Sequence, residues 1–219
     1  MLVTACIISS MFQPVMTLTN EMKIEAEALA AVTYKRWRNI GGHYTNFPAS
    51  HFKGKCGEIA VEWWSIIESV HENSAFRDHS RESEADLTIG GWNVDVKTWS
   101  EQHWSNLGRC VSVSQLERLK AKARCIVWCT HKEVSSGPVV TIRGWSLISD
   151  ISSAVRANTG GAGMRKIDNY QLAEHDLRPM SDLLRRVRAP RAVQVRRLGR
   201  LRRLPCLSRL PHHHELARP

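Results

Sequence analysis

The twelve residues from Ala85 to Val96, ADLTIGGWNVDV, constrain the fold of this chain more than any other stretch. Gly90-Gly91 supplies two adjacent positions that take positive φ without a Cβ clash, which is what a two-residue hairpin turn requires. With that pair as the loop, Ile89 faces Trp92, Thr88 faces Asn93, Leu87 faces Val94 and Asp86 faces Asp95. Side chains alternate across a sheet. One face of the hairpin therefore carries Leu87, Ile89, Trp92, Val94 and Val96, and is core. The other carries Asp86, Thr88, Asn93, Asp95 and Lys97.

The polar face holds the chemistry. Directly opposed side chains have Cβ atoms roughly 4.5–5.5 Å apart, and like charges there destabilise the pair. Two carboxylates at that separation raise one another's pKa unless a cation lies between them. Lys97 lies about 7 Å further along the strand, near enough to share the site but not to neutralise both acids. The arrangement calls for a small hard cation, and Mg²⁺ held by one or two carboxylates plus water and phosphate is the usual answer. The bland alternative is an exposed polar face whose two acids point at water. If the acids repel each other, Asp95→Ala should leave the metal-free protein as stable as before, or more so.

Hydrophobic spacing places the remaining elements. A helix capped by Thr19 or Asn20 is expected through Arg38, with acids early and bases late. A second is expected in GKCGEIAVEWWSIIESV, with Ile59, Val61, Trp63 or Trp64, Ile66, Ile67 and Val70 on its apolar face. HENSAFRDHSRES reads as a polar loop. After the hairpin come a helix in SVSQLERLKAKA, capped by Ser112 or Ser114, and buried strands in RCIVWCTH and VVTIRGW, followed by a helix capped by Ser146. The alternation of helices and strands predicts an α/β fold, a mixed sheet flanked by helices. NTGGAG has no strand before it and is not read as a phosphate cradle.

Charge divides the chain. The net +10 of the 219 residues sits from Arg185 onward, where there are eleven arginines and one acid, leaving twenty basic and twenty acidic residues before it. This gives an N-terminal extension over 1–16, a folded domain over 17–184 and a low-complexity tail over 185–219 that cannot bury a core. The tail's arginines, Arg185, Arg186, Arg196 and Arg197 among them, suit a tether for phosphate backbones, while a fortuitous extension is the equal alternative. His212–His214 read as a solvated run rather than a metal site. Cys125 and Cys129 share a strand face, but no paired spacing marks a zinc site, and the six cysteines fit free thiols in a reducing compartment. The first residues make a poor signal peptide and are too short to span a bilayer, so a cytoplasmic protein is expected, with Met11 and Met16 as further possible starts. The eight tryptophans are read as core, with Trp99 and Trp104 as the candidates for base stacking.

The segments GKCGEIAVEWW with Glu58, EADLTIG with Asp86, and VDVKTW with Asp95-Val96-Lys97 together resemble the PD-(D/E)xK nuclease superfamily of restriction endonucleases and Holliday-junction resolvases. Ala85 stands where the family's nominal Pro would be. The closing segment NYQLAEHDLRPMSDLL is loosely similar to small phage nuclease-like proteins. The resemblance covers roughly residues 54–155 and implies a restriction-endonuclease-like αβββαβ core. It implies that Asp86, Asp95 and the Val96 backbone carbonyl ligate Mg²⁺, with Mn²⁺ able to substitute, and that Glu58 holds a metal-bound water or a second ion. Lys97 would orient or help deprotonate the attacking water, and Gln115 would contact nucleic acid. The function so implied is a Mg²⁺-dependent endonuclease hydrolysing phosphodiester bonds of DNA by metal-activated water. RNA and a homodimer are both compatible with it. The alternative is a catalytically silent nucleic-acid-binding or protein-interaction module on the same scaffold, which the neutral body favours.

Overall fold

A computed structural model of the chain describes residues 7–9, 13–37, 48–81, 84–159 and 167–189. Two short antiparallel strands come first, β1 (Ile7–Ser9) and β2 (Pro14–Thr17). Helix α1 (Asn20–Trp37) is capped as expected, the Met22 N–H donating to Thr19 Oγ1 at 3.3 Å. Helix α2 (Pro48–Ile67) begins at Pro48 rather than Gly54, because a proline in the first helical turn sacrifices no hydrogen bond. The stretch read as a polar loop instead holds β3 (His71–Asn73) and two 3-10 turns. Three residues are too few to display a period of two, and a short polar strand suits the sheet edge that β3 occupies.

The hairpin forms in the expected register. Strands β4 (Leu87–Ile89) and β5 (Trp92–Ser100) pair Leu87 with Val94, Thr88 with Asn93 and Ile89 with Trp92. Gly90 and Gly91 turn the chain at φ of 50° and 72°. Next come α3 (Trp104–Leu107), β6 (Cys110–Ser112), α4 (Val113–Lys122), β7 (Cys125–Val134), β8 (Gly137–Leu147), α5 (Ile148–Ser152), β9 (Val155–Thr159), β10 (Ile167–Gln171) and α6 (Met180–Arg188). Ser146 does not cap α5. It ends inside β8, where its Oγ accepts a 2.9 Å bond from Trp128 Nε1, and Asp150 takes the Leu147 N–H at 2.8 Å instead.

The main sheet has the order β1-β2-β8-β7-β5-β4-β3, and within it only β5 and β7 run parallel. A parallel pair needs a long crossover, and the segment containing α4 supplies it. A second sheet joins β6, β10 and β9. Ile59, Trp64, Val94, Val127 and Trp145 form a core with α1 and α2 on one side of the main sheet. Leu116, Leu119, Ile126, Trp128 and Ile151 form another with α4 and α5. The fold is thus mixed α/β, a mixed sheet flanked by helices, and β7 reads CIVWC because both its faces are covered. Cys125 and Cys129 do share a face, but it is the apolar one. Burial pushes the Cys125 thiol up to about 12 and Cys129 further, so both stay protonated.

The expected boundaries shift at both ends. Met16 of β2 is already core, and Leu184 and Val187 of α6 pack against the core, so the folded body runs past 184 to include Ala189. Residues 190–219, with Arg196, Arg197 and His212–His214, lie outside the described residues, as does the glycine stretch 160–163, though β9 does run up to it where no strand was expected. Among the described residues no helix is long and apolar enough to cross a membrane.

Candidate active site

Glycine at position 57 sets how near α2 lies to β5. A Cβ there would fall inside van der Waals contact of Thr98 Oγ1, so helix and strand meet at a separation only glycine permits. One residue on, Glu58 reaches the edge of the hairpin, with Lys55 Nζ 2.6 Å from its Oε2. Burial pushes the Glu58 carboxyl up to about 7; Lys55 opposes this, and Asp86 and Asp95 add to it. The helix acid therefore shares a field with both hairpin acids.

Asp86 precedes β4 and supplies what that strand no longer provides. The Val96 N–H, with no β4 residue opposite it, donates to Asp86 Oδ2 at 2.8 Å. Within a strand the N–H and C=O of one residue point to the same side, so the Val96 carbonyl opens onto this edge too. Asp95 is fully buried between two ammonium groups, with Lys97 Nζ 2.5 Å from Oδ2 and Lys122 Nζ 2.5 Å from Oδ1. Lys122 also stands 3.8 Å from Asp86 Oδ1, bridging the two carboxylates.

The two acids respond in opposite directions. Burial pushes Asp86 up, the Asp95 charge adds to it, and Lys122 and Lys97 oppose. Burial acts on Asp95 the same way, but Lys97 and Lys122 together outweigh it and hold its carboxyl below the usual range. Lys122 itself would be lowered by burial and is raised instead, because Asp95 and Asp86 flank it. Three carboxylates, Glu58, Asp86 and Asp95, are thus matched by Lys55, Lys97 and Lys122.

That matching corrects one expectation. The repulsion between the acids persists but is offset by Lys122 between them and by Lys97 on Asp95. Asp95→Ala would strand two partly buried ammonium groups and must destabilise the metal-free protein. Sequence reasoning missed Lys122 because bases in a helix's last turn ordinarily serve the helix dipole at the surface. Lys55 and Gly57 stood inside the GKCGE stretch, and their spacing from Glu58 was the signal available.

Asp86, Asp95, Val96 and Lys97 therefore come together, and Glu58 lies near enough to feel the charge of both acids. Gln115 does not join them: it is half-buried on α4, seven residues before Lys122 and about 10 Å away along the helix. Trp104 is buried, donates its Nε1–H to Glu174 Oε1 at 2.8 Å, and has Arg109 over its ring, so it offers no free face for a base. Trp99 is half-buried against the core on the α4 side. Arg185 and Arg186 pair with Asp182 on α6.

Among the described residues, no three His, Cys, Asp or Glu side chains gather into a metal-holding group. Two carboxylates and a carbonyl still match what Mg²⁺ takes from a protein when water fills its other positions. Apart from the two lysines, the buried Asp95 oxygens accept no hydrogen bond, so the donor set fits such an ion provided Lys122 yields its place. No family model matches this chain, and no curated protein or solved structure matches it either.

Proposed function

We propose that this protein is a divalent-metal-dependent DNA endonuclease working at the edge of β5, with Asp86, Asp95 and Lys97 at its centre and Glu58 beside them. The observation that carries the proposal is the joining of Asp86 and Asp95 around the Val96 amide, with Lys97 on the same carboxylate. The order α2-β3-β4-β5-α4-β7, interrupted by α3 and β6 between β5 and α4, with β7 parallel to β5, supports a restriction-endonuclease-like αβββαβ core. Asp86, Asp95 and the Val96 carbonyl would hold Mg²⁺, which when bound supplies positive charge for the phosphoryl oxygens and a more acidic water.

The chain's own groups supply the rest. Lys97, anchored to Asp95, directs a positive charge at the reacting phosphate and orients water beside it. Glu58, raised to about 7, is poised to take a proton near neutral pH. Lys122, freed from Asp95, adds a second positive charge at the place where negative charge builds up on the phosphate.

A second reading has its own support: the three lysines already neutralise the three acids, as in a scaffold that binds but does no chemistry. Supercoiled plasmid incubated with Mg²⁺, Mn²⁺ or EDTA separates the two. Endonuclease action converts it to nicked and linear forms only with metal, and Asp95→Asn abolishes this. Full cleavage by Asp95→Asn would remove the site from the reaction. Plasmid or RNA bound but left intact under every condition favours the silent module.

A further inference from the structure

Side chains alternate along β5, so Thr98 and Ser100 face α2 while Asp95 and Lys97 face the α4 side. The end of β5 under α2 is therefore a separate place, across the sheet from the proposed centre. A cleft of about 570 Å³ opens there, lined by Phe52, Lys53, Ser100, Gln102, His131 and Lys132 among others and by none of the centre's residues. Ser100 pairs with His131 on the parallel strand β7, so the two side chains stand side by side on that face. From α2, Lys53 Nζ reaches Ser100 Oγ at 2.6 Å, and Phe52 stands edge-on to the His131 ring at 5.9 Å. A space of this size suits a small organic molecule rather than a bare ion.

The charges in the cleft are unevenly matched. Glu101 is held by Arg143 at 3.1 Å and by Lys132 at 3.5 Å, and Glu133 lies 3.2 Å from His131. Lys53 is different: among the described residues it meets only the neutral Ser100 hydroxyl, and no carboxylate lies within ion-pair distance. Taking an ammonium half out of water costs free energy that an opposite charge offsets. Burial accordingly pushes the Lys53 pKa down. The Ser100 hydroxyl accepts from Lys53 and donates to no group among the described residues, so its own hydrogen is free for an oxygen acceptor. Two donors, one of them charged, thus converge on one spot. Beside them His131, only 5% exposed, and Phe52 form an aromatic wall.

We propose that this cleft binds a small organic oxyanion, a phosphate monoester or a carboxylate, whose charged group is held by Lys53 and Ser100 and whose apolar part lies against Phe52. Lys53 keeps its bond to Ser100 Oγ and gives a second N–H to the anion, while the Ser100 O–H gives another. A charge-assisted pair of donors of this kind is among the stronger hydrogen-bonding arrangements a protein offers. The site goes beyond the nuclease reading and does not rest on it.

Isothermal titration calorimetry of the full chain with phenyl phosphate and with benzoate, in EDTA at constant ionic strength, tests the site without any cleavage. At least one of the two probes should bind saturably, one per chain, and which of them binds tells a phosphate monoester from a carboxylate. Lys53→Ala should weaken that binding at least about tenfold, as the loss of a charged hydrogen bond does. Ser100→Ala, which removes one neutral donor, should weaken it about two- to tenfold. If Lys53→Ala melts early, Ser100→Ala decides alone, since it deletes a single oxygen from a half-exposed side chain. No saturable binding of either probe to the folded wild type overturns the site, and so does unchanged affinity in a folded Lys53 or Ser100 variant. Binding lost in Lys97→Ala but kept in Lys53→Ala would put the anion at the proposed centre instead, which overturns the site while leaving the nuclease reading standing.

Discussion

Lys122 occupies the position that two facing carboxylates demand of some cation, and its replacement tests whether a metal ion can take that place. Replacing it as Lys122→Met leaves the buried Asp95 half-matched and should cost about 3–5 kcal/mol in EDTA. Millimolar Mg²⁺ should recover much of that loss if an ion takes the same place, and urea midpoints with and without Mg²⁺ measure it. An equal loss under both conditions would mean that Lys122 and the ion do not compete. Glu58 gives a pH signature. Its folded pKa, about 7, stands above the usual 4.5, so the native state holds a proton that the unfolded chain releases. Stability from this group is full below pH 4.5 and is lost as pH rises through 7. Asp86, also raised, acts in the same direction from its own lower starting point. Urea midpoints of the metal-free protein should fall across that window, and Glu58→Gln should flatten the fall whatever it does to the absolute value.

At the scale of elements, the site depends on two close approaches. Gly57 lets α2 lie on β5, and a methyl group there must push the helix away from Thr98. Gly57→Ala should cost about 1–3 kcal/mol as overpacking. It should also slow cleavage more than it weakens DNA binding, because Glu58 retreats from Asp86 and Asp95. A melting curve and a rate at saturating DNA separate the two effects. The hairpin turn has its own contact, since a Cβ on Gly90 would stand 2.5 Å from Val187 Cβ and 2.9 Å from the Val187 carbonyl. The turn thus holds both the register that aligns the acids and the seat of α6. The hairpin was legible from residues 85–96 because turn chemistry and a period of two are local properties. β3 was not, since three polar residues become a strand only by pairing with β4.

For the whole molecule, the boundary near 185 looked sharp in charge but is not one in packing. Arg185, Arg186 and Arg188 face outward from a helix whose Leu183 is fully buried and whose Val187 touches the core. Arg188 also reaches Glu68 Oε2 at 3.0 Å. A chain ended after Ala189 should keep the urea midpoint of the full protein, whereas one ended after Leu184 should lose about 1–2 kcal/mol with the buried Val187 surface. The same pair of truncations divides the electrostatics. With twenty acids matching twenty bases before Arg185, DNA affinity that collapses after Ala189 would belong to the tail, and affinity that persists would belong to the folded body.

Alone, the sequence determined the hairpin, its register, the facing of Asp86 and Asp95 and the position of Lys97, because turn geometry and side-chain alternation act over a few neighbouring residues. It also fixed the covered character of β7, whose unbroken apolar run needs protein on both sides. Only the tertiary structure decided that Lys122 would stand between the acids. That position depends on where the parallel crossover from β5 to β7 sets down the end of α4, a long-range consequence of packing that local spacing does not encode. The same holds for Lys53 and Ser100, forty-seven residues apart, which meet because Gly57 brings a helix down onto a strand.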